Sequence, residues 1–432
     1  AREEILERSR QFMGRHGLDL PDLSALGASP EDRELPWVVT GHQPELFHPG
    51  VWVKNFATGA IARRSNGIAL NLIVDNDLPK SATIVVPSNG PQGIRKTAVE
   101  FDTWPDGEVP FEDRNVVDEE RFASFPTRVH EILGDIVEDP LIDEFWPLAL
   151  ATRSEVSNAG VRFAIARHQI ESSWGTENFE VPLSEVCETD AFHWFTAHLL
   201  AQLPRFQEIH NRALGEYRRL YGIRSRNHPV ADLATVGEWR EAPFWVWRAE
   251  RPRRQPLLAR QVGRRMELRI SGESEILLDL PLAPDREACC AVEALRELPG
   301  RSVRLRTRAL TTTLFCRYFL GDLFLHGIGG AKYDELGDAI ARRFLGIDPP
   351  PFLTLSQTLW LGLPSDPTLP AQLVDVRRQL RDAEFNPERV MGEPLPPEVR
   401  SIVEAKWQAI SGATETHRQR KARRSEIRRL NE

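Results

Sequence analysis

The sequence predicts an α/β protein whose parallel sheet is assembled from two pieces far apart in the chain. Three observations predict it. Residues 37–77 run strand, polar loop, helix, strand, acidic loop, which is the order of a βαβ unit. A second strand, glycine-rich loop and helix follow at 322–344. Between the two pieces the apolar spacing is mostly helical, and the sequence closes on charged helical pattern from about 366.

In chain order, residues 2–16 read as a surface helix followed by a Pro- and Gly-bearing connector. Val38-Val39-Thr40-Gly41 is a short buried strand, and His42-Gln43-Pro44-Glu45-Leu46-Phe47-His48-Pro49-Gly50 is the loop after it. The helix that follows places Val53, Phe56, Ala57, Ala60 and Ile61 on one apolar face. The run 68–74 is a second strand ending in Asp75-Asn76-Asp77, and 83–86 a further short one. Short alternating runs at 95–117 suggest a small β excursion, 118–222 a long helical region, and 243–281 a return to strands. A helix is expected at 286–298, closed by Pro299-Gly300. After the 322–326 strand and the 333–344 helix, a last strand is expected at 353–361. The tail reads as two long helices broken near 394–397. Sheet pieces at both ends of a helical region are best explained by a discontinuous Rossmann-like core. Its halves are placed at 1–87 and 301–365, with an inserted region at 88–300 and a tail at 366–432.

Composition narrows the function classes. The 432 residues are 41% hydrophobic and 27% charged, as in ordinary globular proteins. No apolar run approaches the roughly 18 residues of a membrane span. A net charge of −8 argues against a dominant nucleic-acid surface. Cys187, Cys289, Cys290 and Cys316 form no Cys-x-x-Cys pair, so neither a disulfide framework nor a zinc site is expected, and a cytoplasmic location is the simpler expectation. His193 and His198 are five apart, which also disfavours zinc on that helix.

Parallel sheets bind ligands at the carboxyl ends of their strands, where the two loops fall. His42 and His48 offer acid–base chemistry, and Gln43 can orient a polar group. Gly41 and Lys54 flank that loop, Lys54 as a charge for an anionic ligand or as a solvated lysine. Asp75 and Asp77, two apart, could hold an amine, Mg²⁺ or ribose hydroxyls, or form an Asx turn. His326 ends the second strand. Gly327, Gly329 and Gly330 with Lys332 could cradle a phosphate, or the glycines could serve a tight turn that needs positive φ. Asp334 could be only an early-turn carboxylate favoured by the helix dipole. Arg226, Asn227 and His228 are further candidate donors to an anion, whereas Trp245 and Trp247 read as sheet packing.

The stretch Thr40-Gly41-His42-Gln43-Pro44-Glu45-Leu46-Phe47 resembles the Thr-Gly-Gln-Gln-x-x-Leu-Phe loop of the bacillithiol synthase family. Asp75-Asn76-Asp77 falls at that family's acidic segment, and 326–333 is similar to its Gly-Gly-Pro-Gly-Glu-Ile-Ala-Tyr loop. The resemblance covers 37–80 and 320–362 and departs from the family at His42, at His48-Pro49-Gly50 and at Lys332. It implies a Rossmann core, a helical coiled-coil part and an enzyme joining small polar metabolites through an amide. ATP or ADP with Mg is a candidate cofactor. A small-molecule substrate and a homodimer through the tail are the expected partners. Two alternatives stand beside it, a nucleotidyl transferase of the class I synthetase-like group and a non-catalytic nucleotide-binding scaffold.

Overall fold

A computed structural model describes residues 1–22, 35–46, 48–91, 93–104, 107–225, 227–284, 287–360, 369–391, 394–411 and 417–431. Its strands, in chain order, are β1 (Trp37–His42), β2 (Ile68–Ile73), β3 (Thr83–Gly90), β4 (Gly93–Glu100), β5 (Phe179–Pro182), β6 (Thr235–Val236), β7 (Trp239–Arg248), β8 (Arg251–Val262), β9 (Arg265–Ile270), β10 (Leu278–Leu280), β11 (Val303–Thr307), β12 (Leu323–His326) and β13 (Phe352–Thr354). β13, β12, β1, β2 and β5 lie side by side in that order and pair in parallel. Every residue of β2 is buried, as a strand covered on both faces requires. The buried Thr40 hydroxyl donates to the Leu325 carbonyl at 3.0 Å, tying β1 to β12 across 285 residues of sequence.

The expected βαβ unit forms, as β1, helix Pro49–Arg64 and β2. Its helix turns the other way round from the sequence expectation. Gly50, Lys54, Asn55, Thr58, Gly59 and Ala62 are buried, while Val53, Phe56, Ala57 and Ile61 are only partly covered and Ala60 is exposed. The polar face can go inside because its groups find partners. Asn55 donates to the buried Glu171 at 2.7 Å, Thr58 to the Lys54 carbonyl at 2.8 Å, and Lys54 to the Gly41 carbonyl at 2.9 Å. A side chain at Gly59 would meet the Asn178 amide oxygen at 3.0 Å, so the glycine sets how closely the helix approaches.

The region 88–300 is not purely an insertion, because β5 within it is the edge strand of the parallel sheet. β3 and β4 form a hairpin over a second apolar core with Phe122, Phe125, Trp146 and Phe163. β6 to β11 make a six-stranded sheet paired antiparallel. β11 lies within the 301–365 segment placed in the second half of the core, but it pairs with β7 of the antiparallel sheet. Helix Ile328–Phe344 follows β12 directly and packs on helix Leu203–Leu220, with the Phe344 and Phe206 rings edge to face at 5.1 Å.

Residues 1–359 form one compact unit and 360–432 another. Among its described residues the second contains three α-helices, Leu369–Phe385, Pro397–Ser411 and His417–Asn431, where two long helices were expected. Lys406 is buried there, with its ammonium donating to the Phe385 carbonyl and to Glu388. No helix among the described residues is long and apolar enough to cross a membrane.

Candidate functional site

The two loops singled out in the sequence open onto one cleft of about 1080 Å³ at the carboxyl ends of β1 and β12. Gly41, His42, Gln43, Lys54, Asp77, His326, Gly327, Gly329 and Gly330 all border it. Phe47 and Arg226 lie outside the described residues. Asn227 and His228 are exposed and do not border the cleft.

Asp75 and Asp77 do not act as a pair. The Asp75 carboxylate is buried and accepts from the Ser184 amide at 2.8 Å and from the Ser184 hydroxyl. Burial, then the neighbouring Glu112, pushes its pKa up to about 7. Asp77 stays on the cleft, where it accepts from Gln43 at 2.7 Å and from Arg254 at 3.0 Å. With these oxygens engaged by Ser184, Gln43 and Arg254, the two carboxylates are a poor fit for Mg²⁺. Among the described residues no cluster of three or more His, Cys, Asp or Glu is arranged to hold a metal.

The glycines at 327–330 do not make a tight turn with positive φ. Gly327 has φ −77° and caps the helix, and Gly329 and Gly330 already lie inside its first turn. Gly327 brings no side-chain acceptor, so the first amides of a 17-residue helix are left uncapped beside the cleft. Gly330 is small for a different reason. A Cβ there would lie 2.7 Å from Nδ1 of His326. Lys332, expected to add charge at this loop, is exposed and does not border the cleft.

His326 is 5% exposed, and its Nε2 is hydrogen-bonded to the Asp334 carboxylate. Asp334 is fully buried and also accepts from Arg317 at 2.9 Å. It is therefore much more than an early-turn carboxylate. The hydrogen bond to Asp334 occupies Nε2 and leaves Nδ1, turned toward Gly330, as the remaining ring nitrogen.

Lys54 is the most unusual group in the cleft. It is 4% exposed, and its ammonium has one partner among the described residues, the Gly41 carbonyl. Burial lowers its pKa to about 8. His42 is held neutral, with its pKa lowered to about 4 first by burial and next by Lys54. Trp245 also borders the cleft, while Trp247 is packed in the core. The guanidinium carbons of Arg308 and Arg254 lie 4.1 and 5.1 Å from the Trp245 ring centroid. Among the described lining residues, Lys54, Lys80, Arg254 and Arg308 outweigh Glu45 and Asp77, on a chain that is acidic as a whole.

Arg254, Arg308, Arg317 and the role of Asp334 were not picked out from the sequence. One signal was readable, the alternation Val303-Arg304-Leu305-Arg306-Thr307-Arg308, which is a strand with a basic face. Compared with known proteins, the chain matches no protein-family model and no curated protein.

Proposed function

We propose that this protein is an enzyme joining small polar metabolites, at least one of them anionic, in an amide-forming reaction of the bacillithiol synthase type. The observation that carries the reading is Lys54, a buried ammonium that borders a large cleft and pairs with no carboxylate among the described residues. Burying a charge without a counter-ion is costly, and a bound anion would supply one. The strand order supports a Rossmann-like core. Counted along the parallel sheet it reads third, second, first, fourth, fifth, and the winding reverses between β1 and β12, where ligands of such sheets sit.

In this reading the anionic group accepts from Lys54 and from the uncapped amides of helix Ile328–Phe344. Arg254 and Arg308 hold a second polar or anionic part against the Trp245 wall. The carboxylate partner reacts as an acyl phosphate made from ATP. The amine attacks its carbonyl carbon, and the C–O bond to phosphate breaks as the C–N bond forms. Phosphate leaves toward Lys54, and His326 takes the amine proton through Nδ1 beside Asp334. Gln43, fixed by Asp77, orients the amine.

The test is calorimetric titration of wild type and Lys54→Met with ATP and ADP, with and without Mg²⁺, and with inorganic phosphate and succinate. Binding of at least one of these anions, weakened about tenfold or more in Lys54→Met, is the expected result (a loss of about 1.4 kcal/mol or more). Equal affinity in both proteins, or no binding to wild type, would overturn the assignment.

A further inference from the structure

The chain uses lysine sparingly. Six of its 55 basic residues are lysines, at positions 54, 80, 96, 332, 406 and 421. Among those whose side chains are described, Lys54 and Lys406 are buried, and they are held differently. The Lys406 ammonium is surrounded by the Phe385 carbonyl, the Asn386 amide oxygen and both Glu388 oxygens, all within 3.2 Å. Lys54 has one carbonyl at 2.9 Å, and the residue borders a cavity large enough for a small molecule. A structural lysine resembles the first. A lysine kept as an amine for chemistry resembles the second, because desolvation without a carboxylate favours the free base, the nucleophilic form.

Two further features belong to the same cleft. His42 follows directly on Gly41, whose carbonyl orients the Lys54 nitrogen, and its imidazole is neutral. Arg254 and Arg308 border the same cavity, Arg254 paired with Asp77 at 3.0 Å and Arg308 with Glu241 at 2.7 Å, and their remaining N–H groups are donors for an anionic group on the same small molecule.

We propose that Lys54 forms an imine with a small oxo acid, a carbonyl compound that carries a carboxylate. The lone pair of the uncharged Nζ attacks the carbonyl carbon, and one of its two N–H protons moves to the carbonyl oxygen to give a carbinolamine. The remaining N–H proton passes to His42 and on to the hydroxyl, the C–O bond breaks, and water leaves as the C=N bond forms. Amine plus carbonyl gives imine plus water, with no oxidant or reductant. The inference goes beyond the ligation reading and does not depend on it, because anion binding by a protonated Lys54 needs no covalent step.

The experiment is reductive trapping on the full chain. Wild type is incubated at pH 7.5 with pyruvate and cyanoborohydride, and the adduct is located by peptide mass mapping. The expected result is one carboxyethyl group per chain, on Lys54, forming about tenfold or more faster than on Lys80, Lys96 or Lys332. Labelling spread evenly over the exposed lysines, or absent from Lys54, overturns the proposal. Acetaldehyde is the second arm. If it labels Lys54 as fast as pyruvate does, the oxo-acid assignment is wrong. Lys54→Arg should lose the single adduct while its far-ultraviolet dichroism matches wild type. Calorimetric anion binding to unmodified wild type is read separately, so trapping can fail while the anion site stands.

Discussion

Lys54→Met should make the protein more stable while removing its anion binding. The Lys54 pKa falls from 10.5 to about 8 in the folded state. At about 1.4 kcal/mol per unit, keeping the buried ammonium charged at pH 7 costs about 3 kcal/mol relative to its neutral form. Methionine fills similar volume without charge but leaves the Gly41 carbonyl without its 2.9 Å donor, a loss of about 1 kcal/mol. The net expectation is a gain of roughly 2 kcal/mol at pH 7. The sign with pH is fixed by linkage. Between about pH 8 and 10.5 the unfolded chain holds the extra proton, so wild-type stability rises through that window and the penalty is fully present below it. Urea denaturation of both proteins at pH 7, 9 and 10.5 measures it, and taking the difference cancels every other titrating group. The advantage of the variant should shrink steadily as pH rises. A variant less stable than wild type at pH 7, or a difference that does not change with pH, would show that Lys54 is not an uncompensated buried charge.

Gly330→Ala should lower the thermal midpoint, at a cost of about 1–3 kcal/mol, because its Cβ would sit 2.7 Å from the His326 ring. Gly329→Ala meets open space in the same helical turn and should be neutral or stabilising by up to about 1 kcal/mol. Equal effects of the two on thermal melts would remove the steric account. Asp334→Ala leaves Arg317 and His326 buried without their shared carboxylate and should cost about 3 kcal/mol. Arg317 still keeps Asp338 at 2.6 Å, which holds that figure to the lower end of the usual range, and an unchanged melting curve would refute the network. Asp75, with its pKa raised from 3.8 to about 7, holds its extra proton in the folded state between those values. Wild-type stability should therefore fall as pH rises from 4 to 7, by up to about 1.4 kcal/mol per unit from this group, and Asp75→Asn should flatten that slope in urea titrations.

The parallel-sheet strands β1, β2 and β12 were legible because their apolar runs are continuous and bounded by turn residues. β5 was not, since a four-residue strand between two helices leaves too little pattern to stand out. The face of helix Pro49–Arg64 was misread for a related reason. Spacing records which residues are apolar, and it cannot record that Glu171, Asn178 and the Gly41 carbonyl wait to receive a polar face. The same limit applies to Asp75 and Asp77, two residues apart in sequence, which Ser184 on one side and Gln43 and Arg254 on the other draw into different surroundings.

The sequence by itself determined the α/β class, the two loops at strand ends and the candidate polar residues within them, because these depend on local periodicity and turn chemistry. Only the tertiary structure decided that the loops share a cleft, that Arg254 on β8 and Arg308 just after β11 border it, and that Asp334 holds His326. It also separated the two candidate lysines. Lys332 is exposed and away from the cleft, whereas Lys54, for which a solvated position was one sequence reading, is buried at its border with the Gly41 carbonyl as its partner among the described residues.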